Sequence, residues 1–283
     1  MSTPIETGFL QRPDGTRLFW RFARPDAPRA LVVLSHGLAE HSGRYAYVID
    51  RFVAAGYAVI APDHRGHGQS SGKRVFVERF RDYTDDLQAV LAMGRAKLGT
   101  SGSVPVALLG HSMGGLIVIA HVMDHPFEAN LLMVSSPGLG VAIAVPKWKD
   151  GLGRVMSKVW PSLGIPTGLS ASLVSRDPAV VKAYEVDPLV TKNATARWYT
   201  EFLDTQERAL AAARSLSLPV IHQYGENDGL VSVPAQKTWF ERLGSRDKTL
   251  TPWPGLYHEI MNEPERDAVI DRYVAWLDTH TTT

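Results

Sequence analysis

The chain has 283 residues, no cysteine and a formal net charge of +1. The lack of cysteine excludes disulfides, cysteine nucleophiles and thiolate zinc sites, and the balanced charge gives no basic face for nucleic acid. Hydrophobic residues make up 45% of the chain, as in an ordinary globular protein with a large core. No apolar run reaches the ~20 residues that span a bilayer, and the N-terminal residues lack the apolar stretch of a secretory signal. These features favour a cytoplasmic protein.

Strand-like segments occur along most of the chain. Residues 5–10 and 18–22 flank Asp14-Gly15 and predict an antiparallel hairpin at one edge of a sheet. Further apolar runs, bounded by Gly or Pro, predict strands that are buried on both faces. They are residues 31–35, 57–61, 106–109, 131–135, 219–224 and 249–253, with helical patterns at 45–55, 82–98 and 116–123. This alternation predicts an α/β fold with a mostly parallel central sheet flanked by helices.

The alternation of strands and helices stops between residues 138 and 216, where no strand-like run occurs. Apolar residues recur there at helical spacing, and Asn193 predicts the N-terminal cap of a helix that runs through Arg214. We therefore expect helices and loops in this stretch. The sequence then divides into an α/β core, residues 1–137 and 217–283, and a helical cap inserted into it at residues 138–216.

Two segments match G-x-S-x-G, the pattern that places a nucleophilic serine on a sharp turn between a strand and a helix. In residues 110–114, Ser112 follows the predicted strand at 106–109 and precedes an apolar helical pattern. In residues 68–72, Ser70 has no strand before it and no helical onset after it. The context therefore predicts Ser112 as the nucleophile and Ser70 as a loop residue.

A serine on such a turn needs a histidine base late in the chain and an acid between the two in sequence. After the predicted strand at 219–224 the histidines are His258 and His280, and His280 lies in the C-terminal tail. His258 is therefore the predicted base. The acid is expected just after the carboxyl end of a strand, which leaves Asp228 and Glu226. Asp228 is favoured because the turn directs its side chain back over the sheet.

The negative charge that develops on the substrate oxygen needs two preorganised N–H donors. One donor is the backbone N–H after the nucleophile, here that of Met113. The other comes from the loop after the strand that ends at residues 36–37, which makes Leu38 the predicted second donor. With these groups, Ser112 attacks an acyl carbonyl, His258 takes the proton, and water later cleaves the acyl-enzyme.

Several motifs carry a resemblance to a known family. They are residues 36–41 with Arg44-Tyr45, residues 63–70, residues 110–115, Gly225-x-x-Asp228 and Gly255-x-Tyr257-His258-Glu259. Through them the chain resembles the monoacylglycerol lipases of the α/β-hydrolase superfamily, the bacterial members most of all. The resemblance implies an α/β-hydrolase fold with a helical cap. It also implies hydrolysis of a monoacylglycerol to glycerol and a fatty acid, without a cofactor.

A monoacylglycerol has a polar end and a long apolar tail, and the chain offers candidates for binding both. Glu40 and Arg44 either lie near the alcohol end of the substrate or form a salt bridge beneath it. The residues expected to bind the acyl tail are apolar and belong to the cap: Leu139, Ile143, Leu152, Val155, Leu163 and Leu169. Residues 147–160 combine basic and apolar side chains, so we expect the cap to touch a membrane or lipid surface transiently.

Other interpretations stay open from the sequence. A lysophospholipase or a broad carboxylesterase would use the same three groups, and a non-catalytic ligand-binding protein could share the fold. Dehalogenases and epoxide hydrolases are disfavoured because they need Asp where Ser112 stands. Asp63, His64 and His67 lie close together in sequence, but their spacing matches no metal-binding helix face, so no metal is expected. Nothing in the sequence predicts the oligomeric state.

Overall fold

An eight-stranded sheet forms the centre of the protein, whose computed structural model describes residues 4–99, 104–142 and 147–281. The strands in chain order are β1 (Glu6–Gln11), β2 (Arg17–Ala23), β3 (Leu31–Ser35), β4 (Ala58–Pro62), β5 (Val106–His111), β6 (Leu131–Ser135), β7 (Gly164–Pro166), β8 (Asn193–Thr195), β9 (Val220–Gly225) and β10 (Lys248–Trp253). Strands β7 and β8 form a small antiparallel sheet of their own.

The central sheet has the order β1-β2-β4-β3-β5-β6-β9-β10. From β4 to β10 every neighbouring pair is parallel. Strand β2 runs antiparallel to both β1 and β4, which confirms the predicted edge hairpin and the mostly parallel sheet. The carboxyl ends of the parallel strands therefore meet at one edge, where ligands bind in open α/β sheets.

Helices cover both faces of the sheet. They are α1 (Ala46–Ala54), α2 (Arg81–Leu98), α3 (Met113–Asp124), α4 (Lys147–Val159), α5 (Pro178–Val186), α6 (Ala196–Ala212), α7 (Val233–Arg242) and α8 (Arg266–His280), with 3₁₀ turns at Ser42–Tyr45, Ala171–Leu173, Ala213–Ser215 and Ile260–Asn262. One buried apolar cluster includes side chains of α2, α3, α6 and α7, and a second includes those of α1 and α8. In the described ranges, no helix has both the length and the apolar composition to cross a bilayer.

The segment between β6 and β9 differs from its prediction in two ways. It contains the short strands β7 and β8, although no strand was expected there. The predicted cap at Asn193 is wrong, because Asn193 begins β8 and the Thr195 side chain accepts the N–H of Trp198 at the start of α6. Helices were expected in this stretch, and α4 is one of them.

Helix α6 belongs to the core as much as to the predicted cap. Trp198 and Phe202 stack with ring centroids 4.8 Å apart and lie in the same buried cluster as α2 and α3. The Glu201 carboxylate accepts the N–H of Phe80, and the Gln206 amide donates to the carbonyl of Gly138. The division into core and cap at residues 138–216 therefore stays a prediction, and α6 is shared between the two.

Candidate active site

Ser112 lies on the turn between β5 and α3, at the carboxyl edge of the sheet. Its backbone has φ +54° and ψ −120°, a conformation that is costly for any residue with a side chain. The turn is held by the Ser112 N–H, which donates to the carbonyl of Ser135 over 3.0 Å. The strand, turn and helix expected around this serine are therefore present.

The glycines of the motif allow the strand and the helix to approach closely. A Cβ on Gly114 would lie 2.1 Å from the carbonyl oxygen of Ser35, and one on Gly110 would lie 2.3 Å from that of Gly114. Both separations are shorter than any real Cβ contact, so a side chain at either position would force the backbone apart. The sequence G-x-S-x-G is thus required by packing at this turn, independently of any chemistry.

Ser70, the serine of the second match, is a structural residue. It is buried, its hydroxyl donates to the carbonyl of Asp63 over 2.6 Å, and it accepts the N–H of Phe19 over 2.8 Å. The neighbouring His64 contacts the Ser35 hydroxyl at 2.9 Å. Within the described ranges, no three His, Asp or Glu side chains are arranged as a metal site.

His258 and Asp228 lie together beside this turn, after β10 and β9 respectively. The Nδ1 atom of His258 lies 2.8 Å from Oδ2 of Asp228, and both side chains are buried. The other carboxylate oxygen of Asp228 accepts the N–H groups of Leu230 and Val231, each at 2.9 Å. These contacts fix the carboxylate and hold the ring with Nε2 free for another partner. Glu226 is exposed to solvent.

The electrostatics of this pair suit a base that is held by an acid. Burial alone would lower the pKa of His258, but the charge and hydrogen bond of Asp228, together with the charges of Glu259 and Glu40, outweigh burial, and the pKa is raised. Burial would likewise raise the pKa of Asp228, but His258 and the two N–H donors lower it. The nearby His111 ring, 4.7 Å from that of His258, has a pKa lowered to about 4 by burial and by His258.

In the described chain, no hydrogen bond joins the Ser112 hydroxyl to His258. Hydrogen bonds between a nucleophile and its base often tighten only when substrate is bound.

The predicted oxyanion donors border the same cavity as Ser112. Leu38 follows β3, and Met113 is the first residue of α3, where backbone N–H groups have no partner within the helix. Among the described residues, the N–H groups of Leu38 and Met113 donate to no other group. The preceding loop is fixed because the N–H of Gly37 donates to Oε1 of Glu40 over 2.5 Å.

Glu40 and Arg44 form a buried network with Glu259. The Arg44 guanidinium binds both carboxylate oxygens of Glu259 at 2.6 and 2.7 Å and Oε2 of Glu40 at 2.8 Å. Tyr45 donates to Glu40 over 2.6 Å, and the Arg44 guanidinium lies 4.8 Å from the ring centre of Tyr184 in α5. The salt bridge left open by the sequence is thus present. Its third member, Glu259, was not predicted as a site residue, because it follows Arg44 by 215 positions.

A cavity of about 730 Å³ opens beside Ser112 and His258. Its floor comes from the loops after β3, β5 and β10, and its walls come from the segment between β6 and β9. Most of the wall is apolar, and the residues that form it include Leu152, Met156, Leu163, Leu169, Trp198 and Phe202. Such a chamber, largely apolar with a few polar groups at one end, is typical of a site for a lipid-like ligand.

The predicted acyl-binding residues divide into three groups. Leu152, Leu163 and Leu169 line the cavity. Two others were misplaced: Leu139 is buried in the core cluster, and Val155 is 55% exposed on the outside of α4. The last one, Ile143, lies outside the described residues.

The polar end of the cavity also differs in detail from the expectation. Glu40 borders the cavity, whereas Arg44 lies behind it and is not part of the lining. Tyr184 and Glu259 do line it and were not predicted. Their only signal in the sequence was proximity: Glu259 directly follows the predicted base, and nothing local marks Tyr184.

The comparisons with known proteins agree with this geometry. The sequence profile of the family described as "Serine aminopeptidase, S33" (Hydrolase_4) matches residues 26–265. A monoacylglycerol lipase of Mycolicibacterium smegmatis is 37% identical over 269 residues, covering 94% of both chains. The phospholipase YtpA of Bacillus subtilis is 34% identical, covering 91% of this chain and 98% of its own. The crystal structure of the Paleococcus ferrophilus monoacylglycerol lipase is 32% identical, with a TM-score of 0.85 over 93% of this chain and 99% of the other.

The parallel sheet, the strand–turn–helix at Ser112 and the segment inserted after β6 define an α/β-hydrolase. The chain belongs to the S33 serine aminopeptidase family, Hydrolase_4, within which it groups with the monoacylglycerol lipases, so the resemblance noted in the sequence is confirmed. It is a carboxylic ester hydrolase that acts on lipid esters.

Proposed function

We propose that this hydrolase cleaves monoacylglycerols to glycerol and free fatty acid, with Ser112, His258 and Asp228 as its catalytic triad. The observation that carries the proposal is the single cavity that borders both Ser112 and His258 and continues into an apolar chamber. The chamber accommodates one acyl tail, and burying each CH₂ of the tail contributes about 0.8 kcal/mol. The names of the relatives from Mycolicibacterium smegmatis and Paleococcus ferrophilus support the same substrate class.

The first half of the reaction forms an acyl-enzyme. The Oγ atom of Ser112 attacks the ester carbonyl carbon while Nε2 of His258 takes the hydroxyl proton. The oxygen of the tetrahedral intermediate accepts hydrogen bonds from the N–H groups of Leu38 and Met113. The C–O bond to glycerol then breaks, and the proton on His258 moves to the departing glycerol oxygen. Asp228 stabilises the imidazolium throughout and does not take the proton.

The second half of the reaction uses water in place of the serine. A water molecule loses a proton to His258 and attacks the acyl carbon, with the oxyanion again at Leu38 and Met113. The Ser112–acyl bond breaks, and the proton returns to Oγ of Ser112. The fatty acid leaves, and the site returns to its starting state with no cofactor consumed.

We also propose that residues 138–216 act as a cap that touches a lipid surface transiently. The outer face of α4 and the residue after it expose large apolar side chains: Trp148 (68% exposed), Leu152 (53%), Val155 (55%), Val159 (75%) and Trp160 (58%). Trp148 and Leu152 also border the cavity, so the apolar surface is continuous with the chamber. A substrate leaving a bilayer could therefore enter without crossing water.

The lipid contact is tested by sedimentation with phosphatidylglycerol vesicles. We expect Val159→Asn to weaken vesicle binding severalfold, since it removes an exposed apolar group without adding charge. Phe127→Asn is the matched control, because Phe127 is 99% exposed in the loop between α3 and β6, at the opposite edge of the sheet. Equal losses for the two variants would contradict a contact made through the cap.

A turnover panel tests the substrate assignment. Mono-, di- and triacylglycerols and a lysophospholipid of the same acyl chain are compared by kcat/KM, with Ser112→Ala as the blank. We expect the monoacylglycerol to be the best substrate, because the relatives from Mycolicibacterium smegmatis and Paleococcus ferrophilus are named for it. The phospholipase named among the relatives makes lysophospholipid hydrolysis the second candidate. A lysophospholipid rate equal to or above the monoacylglycerol rate would replace the first proposal by the second.

A further inference from the structure

The charges at the polar end of the cavity have a single sign. Among the residues whose side chains the structure describes, Glu40 and Glu259 line the cavity, whereas no Lys or Arg does. Both carboxylates are buried, at 2% and 5% exposure. The cavity therefore presents negative charge next to the reacting groups, in a region where little water is available to screen it.

Among the described residues, Arg44 is the cation that pairs with these carboxylates. The Arg44 guanidinium donates to Glu40 and to both carboxylate oxygens of Glu259. It also lies 4.8 Å from the ring centre of Tyr184. Arg44 is not among the residues that line the cavity. Two carboxylates and one guanidinium leave the network with one net negative charge. The interaction with Arg44 also lowers the pKa of Glu259 against the effect of burial, so that it stays ionised.

The position of Glu259 places this charge at the leaving alcohol. In ester hydrolysis the leaving oxygen receives its proton from Nε2 of the base, so the alcohol must lie beside His258. Glu259 directly follows His258 in the chain and lines the same cavity. The apolar walls from α4 and α6 take the acyl tail at the other end, which leaves the acidic end for the alcohol.

We infer that Glu259, together with Glu40, is a specificity determinant that restricts the leaving group to neutral alcohols and disfavours phosphate-bearing ones. A phosphate brought beside two buried carboxylates meets repulsion and a loss of hydration, and no Lys or Arg among the described lining residues compensates for either. A neutral glycerol meets no such repulsion, and its hydroxyls can donate hydrogen bonds to the carboxylate oxygens in place of those to water. This inference rests on the proposed function and narrows its substrate class.

A minimal pair of substrates isolates the charge. 1-Oleoylglycerol and 1-oleoylglycerol 3-phosphate share acyl chain and glycerol and differ by one phosphate. Both are presented in the same neutral detergent micelles, so that surface charge of the lipid phase does not differ between them. For the wild-type enzyme we expect kcat/KM to be lower for the phosphate by at least on the order of tenfold, as for like charges at intermediate dielectric.

The variant Glu259→Gln keeps the shape of the side chain and an acceptor for Arg44 while removing the charge. We expect it to raise the phosphate-to-glycerol ratio of kcat/KM by on the order of tenfold, whatever happens to the absolute rates. Glu265→Gln is the matched control, because Glu265 lies in the same loop, is exposed and pairs with Arg176 away from the cavity. It removes the same charge from the protein and should leave the ratio unchanged.

The following results would overturn the inference that Glu259 and Glu40 select neutral leaving groups. Equal wild-type rates on the two substrates overturn the inference without any variant, and so does a ratio that moves equally in Glu259→Gln and Glu265→Gln. If Glu259→Gln does not fold, Glu40→Gln provides the same readout, and its unchanged ratio would overturn the inference. Failure of the wild type to cleave 1-oleoylglycerol at all would instead remove the proposed function.

Discussion

Ser112 is the residue on which the proposed chemistry depends most directly. We expect Ser112→Ala to lower turnover of any ester by at least about 10⁴-fold, because it removes the hydroxyl that attacks the acyl carbon. Its melting temperature should stay within a few degrees of the wild type, since the turn is held by backbone bonds and by the small volume of Gly110 and Gly114. Activity against a chromogenic ester and a thermal melt measure both quantities.

Ser70→Ala is the control for that experiment, since Ser70 belongs to the other G-x-S-x-G segment. Its hydroxyl makes two buried hydrogen bonds, so the variant should lose about 1–3 kcal/mol of unfolding free energy. The folded fraction should keep its turnover. A dead but well-folded Ser70→Ala, beside an active Ser112→Ala, would show that the nucleophile was assigned to the wrong serine.

Asp228 and Glu226 lie two positions apart, but only Asp228 contacts His258. We expect Asp228→Asn to cost turnover by about 10⁴-fold, because an amide favours the wrong imidazole tautomer. Glu226→Gln should be close to neutral, since Glu226 is exposed. Steady-state rates on one monoacylglycerol compare the two variants, and the reverse ranking would transfer the acid role to Glu226.

The raised pKa of His258 predicts where activity falls on the acid side. The base must be neutral, so kcat/KM should rise with pH through the pKa of His258, with a midpoint above the ~6.5 of an ordinary histidine. Burial works against this shift, and the carboxylates of Asp228, Glu259 and Glu40 together produce it. A pH profile with a neutral substrate measures the midpoint. A value below 6.5 would contradict the electrostatics described for this pair.

At the scale of an element, the exposed apolar face of α4 borders the cavity at some of its residues and not at others. Leu152 borders the cavity and Val155 does not, although both are about half exposed on the same helix. We expect Leu152→Asp to impair long-chain monoacylglycerols at least about tenfold more than butyryl esters, because a charge in the chamber disfavours each buried CH₂ near it. The measurement is kcat/KM against acyl-chain length in detergent micelles.

Val155→Asp is the matched variant for α4, with the same added charge one turn along the helix. It should leave the chain-length profile unchanged, because its side chain points away from the chamber. Parallel losses at all chain lengths for Leu152→Asp, together with a lower melting temperature, would assign Leu152 to packing alone.

The elements also show what local sequence can and cannot predict. Buried strands such as β3 and β6 were located to the residue, because apolar runs bounded by Gly or Pro have few alternatives. The misplaced cap at Asn193 came from a long-range cause: β8 pairs with β7 across nearly thirty residues, which moves the start of α6 to Thr195. Val155 was misplaced because helical spacing defines an apolar stripe but not which neighbour it faces.

In the site, too, local sequence predicts some residues and long-range contacts determine others. Ser112, Asp228 and His258 could be proposed from sequence because each follows the end of a parallel strand, where topology brings loops together. Glu259 and Tyr184 could not, because their roles arise from Arg44, which contacts both across long sequence separations.

At the scale of the whole molecule, buried histidines predict acid sensitivity. Six of the ten histidines have a pKa lowered mainly by burial: to about 4 for His36, His111, His121 and His222, to about 3 for His67, and well below its ordinary value for His64. Below pH ~6.5 these histidines bind protons in the unfolded chain but stay neutral in the folded chain. The free energy of unfolding therefore falls as the pH falls. His258 has a raised pKa, so its protonation favours the folded state as the pH falls.

Urea unfolding at pH 7 and at about pH 5 measures this effect. The five histidines with a pKa of about 3 to 4 should each cost about 1–2 kcal/mol by pH 5, and His64 acts in the same direction. The total is comparable with the entire stability of a typical domain. We therefore expect cooperative unfolding near pH 5, and His121→Gln should reduce the number of protons taken up by about one. An unfolding free energy that does not change between the two pH values would contradict the burial of these rings.

The double membership of α6 has a consequence for how this enzyme can acquire new substrates. Trp198 and Phe202 form part of the chamber wall and of the core at once, so a change that reshapes the wall there also lowers stability. The part of the wall from α4 through the turn at Ala171–Leu173 contributes no residue to the two buried clusters. Variation in acyl preference among descendants of this sequence should therefore accumulate between β6 and β8, while α6 changes slowly.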